Sequence, residues 1–580
     1  MAKAQKTAAK IPAGKLGKTS SATIYDKLSA VLIHKRTFFI ILFSGIVLAL
    51  ISFNARVSEA HDDSLYIEAG YKYVHEFPNY YYTSNAPMYP MFLALLTLAF
   101  GTNLIAFKIF SLFFFVIGAI LYYKALDKRV PEILKYFVFT FICINHLVLY
   151  YSSQTFSESF YMLMQAIFFY FFCKYNFGEN PISGNIKVDY KRWLVLGLLM
   201  MLLTLAKNIL IFGIAAIAVF YFLRKEYKKM VIAMASFGLF KFLYELVKGW
   251  VWGDSAIQYK SQMSILLNKD SYDATQGQED LAGFFGRFTD NIGLYLGKRF
   301  YQILGFMDEQ YAGRKFVEKN GEMVPEMDNK VIFLSLIVLF LTFFGLYKAI
   351  KNKQSLITFI TLFAGTICFG TFFVLQARWD QPRFVLVHMP AFLLAISYGL
   401  YELLKKNNFN QRIFVIFTIV IVKSMLISSL TRGFKNIPIV TKNLNGDIYY
   451  GYTPDWQNYL KISAWCADSL PQTSLIAARK APMSFVYGKG KHFFPIYSVF
   501  AKDKETNQSN PDSALAIFKR NKVTHILLAS LRIDPTKNTG DIINTLHNIA
   551  GPIAQKYPEK LRLVKTIGET EEASLYEIRY

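Results

Sequence analysis

A chain of 580 residues that is 53% hydrophobic and 17% aromatic, with 54 Phe and 37 Tyr and a mean hydropathy of +0.28, is too apolar for an ordinary soluble enzyme. Its 64 Lys+Arg against 40 Asp+Glu give a net charge of +24. The basic residues fall in short clusters between apolar segments, which argues for membrane topology rather than a nucleic-acid partner. Of four cysteines, Cys143, Cys173 and Cys368 sit in apolar segments and Cys466 stands alone in polar surroundings, so no disulfide or metal-ligand framework is spelled out.

Residues 1–36 are rich in Lys, Ala, Ser and Gly without hydrophobic periodicity, and are expected to be a disordered cytoplasmic arm. A bilayer core about 30 Å thick takes roughly 20 apolar residues per helix. Segments of that kind are expected at 37–53, 103–124, 134–151, 159–177, 193–206, 209–223, 230–252, 330–350, 355–374, 383–403 and 412–430. That makes about eleven spans, with the basic loops "KALDKR", "KVDYKRW", "RKEYKK", "YKAIKNKQ" and "LKKNNFNQR" on the inside. The outer side then owns loops 54–102 and 253–329 and the piece 431–580. Late in 54–102, the Pro-marked amphipathic stretch of "NAPMYPMFLALLTLAFG" that Gly101 breaks is expected to be a helix in the membrane interface. Residues 270–280, "DSYDATQGQED", read as a mobile loop tip. After residue 430, strand-length runs such as "SLIAARK", "THILLAS" and "SLYEIRY" alternate with helical stretches, which predicts an extracytoplasmic α/β domain over 431–580. The fold class expected is therefore a polytopic α-helical membrane protein, with a transmembrane catalytic domain at 37–430 and this C-terminal domain.

The chemistry-bearing residues gather next to membrane boundaries. Asp62 and Asp63 follow the first span in "SEAHDDSLYIEAG", where ionised groups are costly unless they face water or a cavity. His61 precedes them as a neighbour that could tune the pair or bind metal. Glu158 opens the fourth span, Lys108 lies early in the second, Lys207 falls at an expected outer turn, and Arg378 and Arg383 bracket "RWDQPRF". Each has a plain reading as well: a snorkelling lysine, an interfacial aromatic and basic anchor, or a helix-capping acid.

The order of these residues resembles the GT-C glycosyltransferases that use lipid-linked sugars, in particular the relatives of aminoarabinose transferases and protein O-mannosyltransferases. Their first outer loop carries a pattern like D-[DE]-x-x-Y, matched by Asp62, Asp63 and Tyr66, then one like [HK]-P-P-[LM]-Y, matched imperfectly by "NAPMY" from Asn85 to Tyr89. A basic residue early in the second span, an acidic residue at the fourth, and an R-[YF] pair followed by Pro are matched by Lys108, Glu158, and Arg383, Phe384 and Pro390. Asn85 and Ala86 replace the basic or imidazole residue and the first proline of that second pattern.

The resemblance implies transfer of a sugar from a polyprenyl-phosphate donor to a lipid, glycan or protein acceptor. It implies a bacterial inner-membrane protein with a cytoplasmic N-terminus and a periplasmic C-terminal domain. An alcohol is a poor nucleophile until its proton is being removed, which makes Asp62 the expected base. Asp63 and Glu158 orient the acceptor, hold the base, or share a divalent ion, three alternatives left open. The leaving phosphate calls for cations: Arg383 for its bidentate fork, then Arg378, Lys108 and Lys207. Tyr66 and Tyr89 are expected to position substrate. Two rivals compete: a transporter or flippase for a lipid-linked sugar, which predicts paired half-repeats and charges at mid-span, and a polysaccharide polymerase or ligase.

Overall fold

The structure, a computed structural model, describes all residues except 1–23, 60–61, 258–261, 271–272, 320–321, 377–378, 406–407, 503–507 and 533–542. His61 and Arg378 therefore lie outside the described residues, as does most of the basic arm. The part of that arm that is described departs from expectation. Ile24–Leu32 is a helix, α1, anchored by Tyr25, which is buried and stacks on Tyr401 with ring centroids 4.9 Å apart. Leu28 and Leu32 pack on the same core one and two turns on, a short apolar stripe that the charge-rich sequence around it conceals.

The first half is helical throughout: α2 (Lys35–Ile51), α3 (Asp62–His75), α4 (Met88–Phe100), α5 (Leu104–Leu126), α6 (Glu132–Ile144), α7 (His146–Ser152), α8 (Ser157–Phe177), α9 (Ile186–Ala206), α10 (Ile211–Leu223) and α11 (Tyr227–Trp252). Gly101 ends α4 at a φ of 62°, a conformation suited to glycine, before Asn103 caps α5. Helices α6 and α7 bend by 53° at Asn145. The Asn145 side chain accepts from Leu147 N and Val148 N, and donates to the Ile303 carbonyl at 2.6 Å, so the break is built and held.

Beyond α11 lie α12 (Gln262–Leu267), strands β1 (Asn268–Asp270) and β2 (Asp273–Gln278), α13 (Leu281–Asn291), a π-helical stretch Ile292–Arg299, α14 (Phe300–Ile303), and strands β3 (Arg314–Lys319) and β4 (Glu322–Met327). The expected loop tip at 270–280 is thus a β-hairpin, β1 paired antiparallel with β2. Its cause is Arg287, whose guanidinium donates to the carbonyls of Leu266 and Asn268 at 2.7 Å and to Glu279 at 2.6 Å. A buried fork closes the base of the hairpin, and no local sequence pattern announces it.

Then come α15 (Asn329–Lys351), α16 (Ser355–Val374), α17 (Arg383–Leu386), α18 (Met389–Leu404) and α19 (Asn408–Leu444), the last 37 residues long. Among the described residues five helices are long and apolar enough to cross a membrane, and the bent pair α6 and α7 makes a sixth if counted as one span. Large apolar side chains such as Phe242, Leu246, Phe333, Phe340 and Phe343 stand exposed on α11 and α15, a surface suited to lipid rather than water. Helices α15 and α18 meet at Gly345 and Gly399, where an added Cβ would lie 2.5 Å from the Ala395 carbonyl and 2.3 Å from that of Leu341. Small residues let the two backbones touch where no hydrophobic effect drives helix association. The protein is a multi-pass membrane protein.

After α19, a five-stranded sheet runs in the order β6 (Phe493–Pro495), β5 (Leu475–Ala478), β7 (Val523–Leu528), β9 (Ala573–Ile578), β8 (Leu561–Ile567), the first three parallel and the last two joined antiparallel. Alternate residues serve opposite faces: Ile476, Ala478 and Leu527 pack with α20 (Pro454–Ser469) and α21 (Ala481–Tyr487), whereas Ala477 and Ile526 pack with α22 (Pro511–Arg520) and α23 (His547–Lys556). Helix α21 rests on α3, and Asn436 of α19 donates to the Phe53 carbonyl at 2.5 Å. The sheet and its helices therefore sit at the end of the bundle that carries the acidic pair.

Candidate active site

Helix α3 begins at the acidic pair, so both carboxylates stand at its N-terminus, where free backbone N–H groups favour negative charge. Their environments differ. Asp63 is fully buried and uses one oxygen for Ser58 N (2.8 Å) and the other for Ser64 N (2.9 Å). Burial pushes its carboxyl up to about 6, against the pull of the Lys108 ammonium and the two backbone donors. Asp62 keeps 29% of its side chain exposed and receives Arg383 Nη1 on Oδ2 at 2.5 Å.

Arg383, the first residue of α17, lies over the rings of Phe156 and Phe384, and its Nε, buried, has no hydrogen-bond partner. The loop before it is pinned from below. Asp380 takes Arg299 Nε at 2.6 Å and a very short bond from Lys298, while Tyr295 donates to the Trp379 carbonyl at 3.0 Å. A second ion pair stands beside the first: Lys207, at the end of α9, donates to Glu158 Oε1 at 3.1 Å, and Glu158 Oε2 is buried without a partner. Tyr66 is buried among Asp62, Glu158, Ser157 and Arg383, and burial holds its phenol protonated far above the ordinary range.

Asp62 and Tyr66 of α3, Glu158 of α8, Lys207 at the end of α9 and Arg383 of α17 thus come together from four separate elements. Two of the expected residues lie beneath them instead. Lys108 was expected at the donor phosphate; it has no exposed surface and donates to Gln154 Oε1 (2.8 Å) and the Ser153 carbonyl (3.3 Å). Its charge serves Asp63, because an ammonium this deep needs a counter-ion. Tyr89 is 1% exposed and supports Tyr66 edge-to-face at 5.3 Å. Arg378 and His61 are outside the described residues.

A shared divalent ion does not fit this arrangement. The three carboxylates are engaged separately, by Arg383, by backbone N–H groups and by Lys207. Among the described residues no three His, Cys, Asp or Glu side chains gather as metal ligands.

Sequence reasoning missed Lys480. This residue precedes α21, is 7% exposed, and donates from Nζ to the Glu59 carbonyl at 2.8 Å, tying the sheet to the loop that leads into the acidic pair. Burial first, then Arg479, draws its ammonium down to about 8, while Asp62, Glu59 and Asp63 oppose them. Nearby, Tyr452 donates to the Val57 carbonyl and lies under the Arg56 guanidinium at 4.4 Å.

The contrast between the two aspartates predicts different variants. Asparagine at 63 has one acceptor oxygen for two backbone donors and turns its own N–H₂ toward one of them. Asp63→Asn is expected to cost about 1–3 kcal/mol, read as a lower apparent Tm of the purified protein, with Asp62→Asn close to wild type in the same measurement.

No family model matches the chain, and no curated protein matches it in sequence. Solved structures match in fold. ArnT from Cupriavidus metallidurans, in its apo state, superimposes with a TM-score of 0.52 at 10% identity, over 94% of this chain and 98% of that one. ArnT bound to undecaprenyl phosphate gives the same TM-score and coverage at 9% identity. The oligosaccharyltransferase AglB from Archaeoglobus fulgidus, in complex with an inhibitory peptide and a dolichol-phosphate, gives 0.49 at 11% identity over 94% of this chain and 75% of that one. The chain therefore shares the fold of ArnT.

Proposed function

We propose that the chain is a membrane glycosyltransferase that moves one hexosyl or pentosyl unit from a polyprenyl-phosphate donor to an acceptor hydroxyl at the extracytoplasmic face. The observation that carries the reading is the Asp62–Arg383 pair beside Glu158 and Lys207, on a fold shared with ArnT, for which a complex with undecaprenyl phosphate exists. Basic loops at the other end of the bundle support a cytoplasmic N-terminus and a bacterial inner-membrane setting.

The pair holds a general base next to a phosphate ligand. A phosphate entering the site offers Arg383 a bidentate partner, and the guanidinium turns from Asp62 to the donor. Asp62, released, takes the proton of the acceptor hydroxyl as its oxygen attacks the anomeric carbon. The bond from that carbon to the phosphate oxygen breaks, and the phosphate leaves with the electron pair. Arg383 and Lys207 stabilise the negative charge that develops there. Glu158 holds Lys207, while Asp63 fixes the start of α3.

The carboxyl of Asp63 also sets a pH dependence. In the folded chain it protonates near 6, against 3.8 ordinarily. Neutral Asp63 no longer balances Lys108 or accepts from both backbone donors, so transfer falls as pH drops through about 6. The folded state binds this proton more readily than the unfolded chain, so the group itself adds stability on acidification. Activity is expected to fall between pH 7 and 5, and a flat rate over that range contradicts the assignment.

The test of the reaction class is transfer of labelled sugar by purified protein from a panel of polyprenyl-phosphate sugars, with membrane extract as acceptor. Label reaching acceptor supports the reading. Folded protein that transfers from no donor, yet moves the lipid-linked sugar across vesicles, establishes the flippase instead.

A further inference from the structure

A cavity of about 300 Å³ lies apart from these residues, between α7, α19 and the turn after α14. Its polar lining comes from His146, Gln302, Asp308, Glu309, Gln310 and Arg432. Glu309 is the hub: one oxygen receives His146 Nε2 at 2.9 Å and Arg432 Nη2 at 2.7 Å. His146 is 5% exposed, and its Nδ1 has no partner. With the proton on Nε2 for Glu309, Nδ1 is a buried acceptor awaiting a donor. Arg432 and Glu309 keep half and 39% of their side chains exposed, so the cavity opens to the surface there.

The lining states what fits. One arginine faces two carboxylates, Asp308 and Glu309, so the site has no excess positive charge to hold a phosphate. Carboxylates, carboxamides, a guanidinium and an imidazole acceptor together match neutral vicinal hydroxyls, each of which both donates and accepts. The volume is at the small end of ligand sites, enough for one or two sugar rings. The cavity is also joined to the ion pairs. Gln302 donates to the Asp308 carbonyl at 2.6 Å and accepts from Arg299 Nη1 at 2.9 Å, and Arg299 holds Asp380, three residues before Arg383.

We infer that this cavity is a carbohydrate subsite that grips a neutral sugar of the acceptor or product. The identity of that sugar as acceptor rests on the glycosyltransferase reading; binding in the cavity does not require turnover.

The test is titration of the full-length protein with methyl glycosides of common hexoses and pentoses, and with inorganic phosphate, followed by saturation-transfer NMR. The proteins compared are wild type, Asp62→Asn, Glu309→Gln and Ser428→Phe. Ser428 lines the cavity one turn before Arg432, so Phe fills the space with His146, Glu309 and Arg432 all retained, and covers the case in which Glu309→Gln does not fold. Wild type and Asp62→Asn are expected to bind at least one glycoside alike, with at least tenfold weaker binding in the two cavity variants. Binding that is lost with Asp62→Asn and kept in Ser428→Phe, preference for phosphate, or no glycoside bound at all overturns the inference. If glycosides bind as expected while no donor supports transfer, the subsite stands and the catalytic reading falls.

Discussion

Asp62→Asn is expected to lower sugar transfer by about 10²-fold or more while leaving the protein folded. Asparagine has the shape of aspartate and keeps an oxygen for Arg383 Nη1, so the 2.5 Å contact survives as a hydrogen bond from the guanidinium to an amide oxygen. The basicity and the negative charge of the pair are lost. Asp62 is 29% exposed in its side chain, whereas Asp63 is sealed, so of the two adjacent carboxylates only Asp62 can meet an acceptor hydroxyl. The measurement is kcat with saturating donor and acceptor, paired with Tm. Activity near wild type removes Asp62 from the base role and leaves Glu158, with its unpartnered oxygen, as the next carboxylate to examine.

Arg383→Ala is expected to weaken donor use at least tenfold, about 1.4 kcal/mol, in kcat/KM for the polyprenyl-phosphate sugar. The guanidinium has one nitrogen on Asp62 and Nε without a partner, so a phosphate arriving here meets donors that are not fully committed. Arg383→Lys keeps the charge and loses the fork, and should fall between Ala and wild type. The loop carrying Arg383 is held by Asp380 through Lys298 and Arg299, which keeps the alanine effect local. Equal donor use by Arg383→Ala and wild type places the phosphate contact elsewhere.

The residues that meet at this site were readable because each sits where a helix begins or ends in an apolar sequence. Asp62 opens α3, Glu158 lies in the first turn of α8, Lys207 follows α9 and Arg383 starts α17. Asp62 and Arg383 are 321 positions apart, and it was the family-like order of motifs, rather than spacing, that joined them. Lys108 was found for its charge and misplaced in depth, because periodicity reports which segment is apolar and says nothing about which residue the bundle closes over. Lys480 and the Lys298–Arg299–Asp380 knot were not readable. Each is a cation whose partner lies on a distant element, and a basic residue among ordinary loop residues carries no mark of the acid or carbonyl it will meet. The helix α1 and the β1–β2 hairpin were missed for the same reason: Tyr401 and Arg287 create them through packing.

The most direct test of the central claim is a single-turnover reaction with a labelled polyprenyl-phosphate sugar bound to excess protein, following release of the free polyprenyl phosphate in wild type and Asp62→Asn. Wild type is expected to release polyprenyl phosphate only with acceptor, and Asp62→Asn to keep its donor bound but unreacted. Release at the same rate from both proteins, or donor that never binds to folded wild type, contradicts the claim.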